Sequence, residues 1–107
     1  MKIFTLTRGM RKMTPNERYE REAAALDAAL EAVGDNYDRH IWEGWTVGDF
    51  IEALKPELDL IMTGRSIYKP LKTKKALRKW CTDHQPYYRE EVPEVAAYFA
   101  AFYGVKK

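Results

Sequence analysis

Apolar positions recur at helical spacing along most of this chain, and the interruptions fall at proline, glycine and capping residues. Thr14-Pro15-Asn16-Glu17 has the form of a capping box with proline at the first helical position. There a threonine hydroxyl accepts from the Glu17 amide while the Glu17 carboxylate reaches back to Thr14. Tyr19, Ala23, Leu26, Leu30 and Val33 then fall on one stripe, and Gly34 marks the stop. Glu17 with Arg21, and Arg18 with Glu22, are spaced for i,i+4 pairs on the solvent side.

A second helix opens at Thr46-Val47-Gly48-Asp49, with Thr46 as cap and Asp49 in the first turn. Val47, Phe50, Ile51 and Leu54 form its apolar face. Pro56 interrupts the pattern, yet Leu58, Ile61 and Met62 keep its register. The spacing therefore admits one helix running through Pro56 or two short helices meeting there. Gly64 ends the run. A third helix begins near Thr73, with Leu77, Trp80, Cys81 and His84 on one face and Lys74, Lys75, Arg78, Lys79 and Thr82 on the other. Gln85-Pro86 terminates it. The last helix runs from Val92-Pro93 to Tyr103, with Gly104 as stop. Its core face is Val95, Phe99, Phe102 and Tyr103, and Ala96, Ala97, Ala100 and Ala101 keep the rod slim.

Two stretches lie outside this helical pattern. Residues 3–7 mix β-branched and aromatic types and suit a short strand. Residues 66–69, ahead of Pro70, are the other stretch suited to pair with it in a two-stranded β-ribbon. Asp35 to Trp45 reads as a polar, aromatic connector holding Tyr37, His40, Trp42 and Trp45, whose two tryptophans anchor the loop to the core. The expected architecture is a mainly α single domain over residues 1–107, a compact bundle of four to five helices with that ribbon. Its expected core is Tyr19, Leu26, Leu30, Phe50, Ile51, Leu54, Leu58, Leu77, Trp80, Phe99 and Phe102.

Composition agrees with this. A chain of 107 residues, 46% hydrophobic and 13% aromatic, has enough apolar surface for one packed core and argues against disorder. One cysteine rules out an internal disulfide and suits a reducing cytoplasm. The apolar run at the start is too short for a signal peptide, and no run approaches the roughly 18 apolar residues of a membrane span. The expectation is a soluble, cytoplasmic protein with no membrane partner.

Charge changes the picture. The net charge is only +2, but residues 65–79 carry seven cations and no acid: Arg65, Lys69, Lys72, Lys74, Lys75, Arg78 and Lys79. Residues 1–16 add four cations and no acid, whereas residues 17–59 hold twelve acids and four cations. Segregated positive charge beside aromatics such as Tyr68 and Trp80 is the composition of a polyanion-binding face. It equally suits a solvated helix face, or a basic helix neutralised by the acidic first helix of the same chain.

Other candidate chemistry is thin. Cys81 and His84 share a helix side, but one cysteine and two histidines fall short of the roughly four ligands of structural zinc, so a structural role and no metal are expected. Asp35, Asp38 and Glu43 near His40 sit among turn formers and read as solvated loop acids. Gly44, Gly48 and Gly64 form no phosphate-binding motif, so no cofactor is expected, and no catalytic set emerges. The basic helix follows Gly64 by about nine residues, longer than the usual turn of a helix-turn-helix.

The strings Trp45-Thr46-Val47-Gly48-Asp49-Phe50-Ile51, Ile61-Met62-Thr63-Gly64-Arg65-Ser66, Lys79-Trp80-Cys81 and Gln85-Pro86-Tyr87-Tyr88 stand in this order. In them the chain resembles short uncharacterised proteins carried on conjugative and integrative elements of Gram-positive gut bacteria, over about residues 42–104. The resemblance transfers no functional residue. It implies an accessory role in a mobile element, where DNA and DNA-handling proteins are the common partners. The sequence thus points to a non-enzymatic accessory protein that binds DNA or RNA through Arg65, Tyr68, Lys69, Lys72, Lys74, Lys75, Arg78 and Lys79. The alternatives are a protein–protein adaptor or inhibitor using the acidic first helix with Tyr87, Tyr88 and Trp42, and a small enzyme using Cys81, His84 or the loop acids.

Overall fold

The starts of three helices are fixed by threonine caps that the sequence announces. In the computed structural model, which describes residues 14–107, helix α1 spans Pro15–Val33. The Thr14 hydroxyl accepts from the Glu17 amide at 3.1 Å, and the Glu17 carboxylate accepts from the Thr14 amide at 2.8 Å. A 3-10 turn follows at Gly34–Asp38 and leads to a hairpin of β1, His40–Trp42, and β2, Trp45–Thr46. Helix α2 spans Val47–Met62, and Thr46 and Asp49 close a second capping box at 3.2 and 2.9 Å. Helix α3 spans Lys74–His84, where Thr73 accepts from the Ala76 amide at 3.1 Å, and α4 spans Pro93–Tyr103. No helix among the described residues is long and apolar enough to cross a membrane.

Helix α2 is continuous through Pro56. The proline is exposed, while Phe50, Leu54, Leu58 and Ile61 bury the opposite side, so packing offsets the hydrogen bond that the ring cannot donate. Helix α4 sits at the centre and packs on α1, α2 and α3. Accordingly Val95, Ala96, Tyr98, Phe99 and Ala100 are all buried, covering most of its circumference. Val95, Tyr98, Phe99 and Ala100 join Phe50, Ile51, Leu54, Leu58, Leu77 and Cys81 in one core, with Trp80 and Phe102 half-buried at its edge.

Helix α1 departs from expectation. Tyr19, Leu26 and Leu30 are 74%, 41% and 40% exposed, and the buried residues of the helix are Ala29 and Val33. Ala25 is half-buried on the same line, and Ala28 shares a groove with Ala100 and Ala101 of α4. The small face of α1 therefore meets the small face of α4. Two alanine-lined surfaces let the backbones approach closely, and leucine on that line would hold them apart. Arg18 and Glu22, spaced for an ion pair, form none among the described residues.

The two-stranded sheet is also placed elsewhere than expected. Residues 66–69 form bends, with the Ser66 hydroxyl accepting from the Tyr68 amide at 3.1 Å, and the strand expected at residues 3–7 lies outside the described residues. The antiparallel pair is instead β1 with β2, in the register His40 to Thr46 and Trp42 to Trp45. Glu43 and Gly44 between them have φ of +38° and +84°, the sign pattern of the type I′ turn whose twist suits a two-residue hairpin. Trp45 packs on Phe50, and Arg39 ties the hairpin to α4 through Glu94 at 2.6 Å.

Candidate nucleic-acid interface

The end of α2 aims the basic stretch outward. The Gly64 amide donates to the Ile61 carbonyl at 3.2 Å and the Arg65 amide to the Leu60 carbonyl at 2.8 Å. With Gly64 at φ +75°, these two bonds are a Schellman closure, which satisfies the last carbonyls and turns the chain away from the helix axis. Residues 65–73 then cross the surface without regular structure until Thr73 caps α3. Ile67 is 92% exposed and Tyr68 66%.

The seven cations do not share one fate. Arg78 pairs with Glu91 at 3.4 Å and Lys79 with Asp83 at 2.8 Å, so two are neutralised at short range within the chain. The hydrogen bond from Lys79 holds the Asp83 carboxyl below its ordinary range. Arg65 donates to the Thr63 hydroxyl at 3.0 Å and borders a groove with Glu22 and Asp59, which places it apart from the others. Lys69, Lys72, Lys74 and Lys75 make no ion pair among the described residues. Among the described residues the acids that pair with this stretch are Asp83 and Glu91, which follow it in the chain, and no ion pair joins it to α1. The four free lysines straddle the start of α3. Lys75 shares a groove with Arg78 and Lys79, Lys74 shares another with Lys106, and Lys69 borders a third with Tyr68. Lys106 is a cation that sequence reading leaves out. Its place depends on the end of α4 lying beside the start of α3, which no local pattern reveals.

The third groove lies where the connector passes α2 and α3. It has a volume of about 510 Å³ and is bordered by Glu57, Tyr68, Lys69, Leu71, Trp80 and His84. The Trp80 and His84 rings stack at 4.4 Å and 18°. His84 Nδ1 lies 2.8 Å from the Trp80 carbonyl oxygen, which can only accept, so Nδ1 carries the proton. His84 is exposed and not on the core face expected for it, because its ring turns back along α3 onto Trp80.

Cys81 is 2% exposed, and burial pushes its thiol up to about 12, so it stays protonated at neutral pH and is a packing residue. Asp35, Asp38, His40 and Glu43 are all exposed. Among the described residues no group of three or more histidine, cysteine, aspartate or glutamate side chains is placed to hold a metal ion. Comparisons of the chain with protein-family models, with curated proteins and with solved structures give no match.

Proposed function

We propose that the protein is a non-enzymatic accessory protein that binds nucleic acid, or a nucleoprotein complex, through the connector and the first turns of α3. One observation carries the reading: Lys69, Lys72, Lys74 and Lys75, within seven residues, are exposed and make no ion pair among the described residues, although the chain carries sixteen acids. Clustering like charges costs free energy through their mutual repulsion, and an external polyanion relieves it. Phosphate neutralisation supplies affinity, and no side-chain set here suits direct reading of base edges, so discrimination between duplex sequences is weak. The resemblance to proteins of conjugative and integrative elements supports an accessory role in a mobile element, in the cytoplasm, where DNA is at hand. The test is anisotropy of a labelled duplex at low salt with wild type and with Lys72→Glu/Lys75→Glu. Wild type should bind and the variant weaken on all sequences alike. Equal binding by the two proteins would assign the affinity to another surface.

A second reading, a protein–protein adaptor or inhibitor, is favoured by the exposed line Tyr19, Leu26 and Leu30 on α1, flanked by Glu20, Glu22 and Asp27. Tyr87, exposed and stacked on Trp42 at 5.8 Å, adds an aromatic surface. That reading expects no binding to nucleic acid at low salt, so the same titration separates the two.

A further inference from the structure

We propose that the groove between the connector and α3 receives one unpaired base, so that the ligand is single-stranded nucleic acid in preference to duplex. This rests on the nucleic-acid reading of the lysine surface and adds to it a place for the base.

Three features of the groove converge on a planar aromatic ligand with an attached anion. Part of its lining is apolar, with Ile61 from α2 and Leu71 from the connector. Trp80 and His84 line it as a preformed stacked pair. Trp80 and His84 are already parallel, and the bond from His84 Nδ1 to the Trp80 carbonyl holds the histidine ring in place, so little side-chain freedom is lost on binding. Tyr68 also lines the groove and is 66% exposed on the basic connector, where burial against a base face would remove apolar surface from water. The volume of about 510 Å³ lies within the usual range for small-ligand clefts, roughly 300–1,000 Å³.

The charges set the direction of entry. Lys69 borders the groove and Lys72 follows it on the connector, so a phosphate backbone lies on that side. Glu57 borders the groove as its one acid; it repels phosphate and, as an acceptor, favours the donor edge of a base. A base inside a duplex is stacked on both faces and paired at its edge, so it cannot enter. A base in a single strand presents both faces and its edge to a protein. Stacking of one base on an aromatic side chain is worth roughly 5- to 150-fold in affinity.

The experiment compares wild type, Tyr68→Ala and Tyr68→Phe on a short labelled single strand, as DNA and as RNA, and on the matching duplex. Tyr68 is exposed and outside any helix, so both variants should keep the fold. Wild type should bind a single strand more tightly than duplex. Tyr68→Ala should lose roughly tenfold on the single strand and nothing on duplex, and Tyr68→Phe should retain single-strand binding. If Tyr68→Ala binds the single strand like wild type while Lys72→Glu/Lys75→Glu weakens both forms, the groove takes no base and the phosphate reading stands alone. If wild type binds neither form at low salt, both proposals fall.

Discussion

Gly48 is the position where a substitution that ordinarily stabilises a helix should do the reverse. It is the second residue of α2, is fully helical and is buried. Glycine to alanine at a compatible helical site stabilises by about 0.4–1 kcal/mol, because the unfolded chain loses freedom. Here a Cβ would lie within 2.8 Å of three ring carbons of Tyr37, against the roughly 3.5–4.0 Å of an ordinary carbon contact. The ring must move by about an ångström. It is not free to do so cheaply, since it projects from the 3-10 turn against the core, with Tyr98 of α4 at 6.3 Å between centroids. Overpacking of this kind costs about 1–3 kcal/mol, so the clash outweighs the entropic gain and Gly48→Ala should destabilise by about 1–2 kcal/mol. For a domain of this size each kcal/mol moves Tm by roughly 4–8 °C. Thermal unfolding followed by circular dichroism measures the effect, and the same substitution in a Tyr37→Ala background isolates its cause. There the clash is gone and Gly48→Ala should raise Tm slightly. A higher Tm for Gly48→Ala in the otherwise wild-type chain would refute the packing of the 3-10 turn on α2.

Three further outcomes follow from burial. Phe99→Ala should cost about 3–5 kcal/mol, since the side chain is wholly buried on the central helix, and a chemical-denaturation midpoint near wild type would contradict that placement. Leu30→Ala should cost less than about 1 kcal/mol in the same assay, because this leucine faces solvent; a cost above about 2 kcal/mol would return it to the core. Cys81 should resist thiol reagents in the native protein and react fully once unfolded. Its folded thiol titrates near 12 and its unfolded one near 9, so at high pH the folded state holds the extra proton. The stability this confers is complete below about pH 9 and is lost as pH rises towards 12, by up to about 1.4 kcal/mol per pH unit relative to Cys81→Ala. A variant whose stability falls as steeply as wild type above pH 9 would show that the thiol is not desolvated.

Helix ends were legible because capping chemistry is local. Thr14, Thr46, Thr73, Gly34, Gly64 and Gly104 each stand where a helix begins or ends, and none needs a tertiary partner to be read. The faces of α2 and α3 were legible because their apolar residues are large and their opposite sides charged. The face of α1 was not. Periodicity ranks leucine and tyrosine above alanine, but which line of a helix is buried depends on the neighbour, and an alanine-rich α4 selects Ala25, Ala29 and Val33. The hairpin was missed because Glu43-Gly44 lacks the asparagine or aspartate that usually signals its turn. Tyr98 was missed because only a helix enclosed on several sides buries residues off its main stripe. At the candidate interface the cluster of cations was visible in sequence. Which lysines remain unpaired was not, since that turns on Glu91, brought to Arg78 by the fold, and on whether Asp83 reaches Lys79. The groove beside Trp80 was equally hidden, because Glu57, Ile61 and Tyr68 meet there only after α2 and α3 have packed.

The salt dependence of nucleic-acid affinity tests the central claim most directly. Log affinity plotted against log salt falls with a slope of about 0.9 per phosphate contact on duplex and about 0.7 on a single strand. If Lys69, Lys72, Lys74 and Lys75 each meet one phosphate, the slope should be about −3.6 on duplex and about −2.8 on a single strand. Lys72→Glu/Lys75→Glu should remove two contacts and flatten the duplex slope to about −1.8, with the fold intact because both side chains are exposed and make no ion pair among the described residues. A wild-type slope near zero, or one that the double substitution leaves unchanged, would contradict the account.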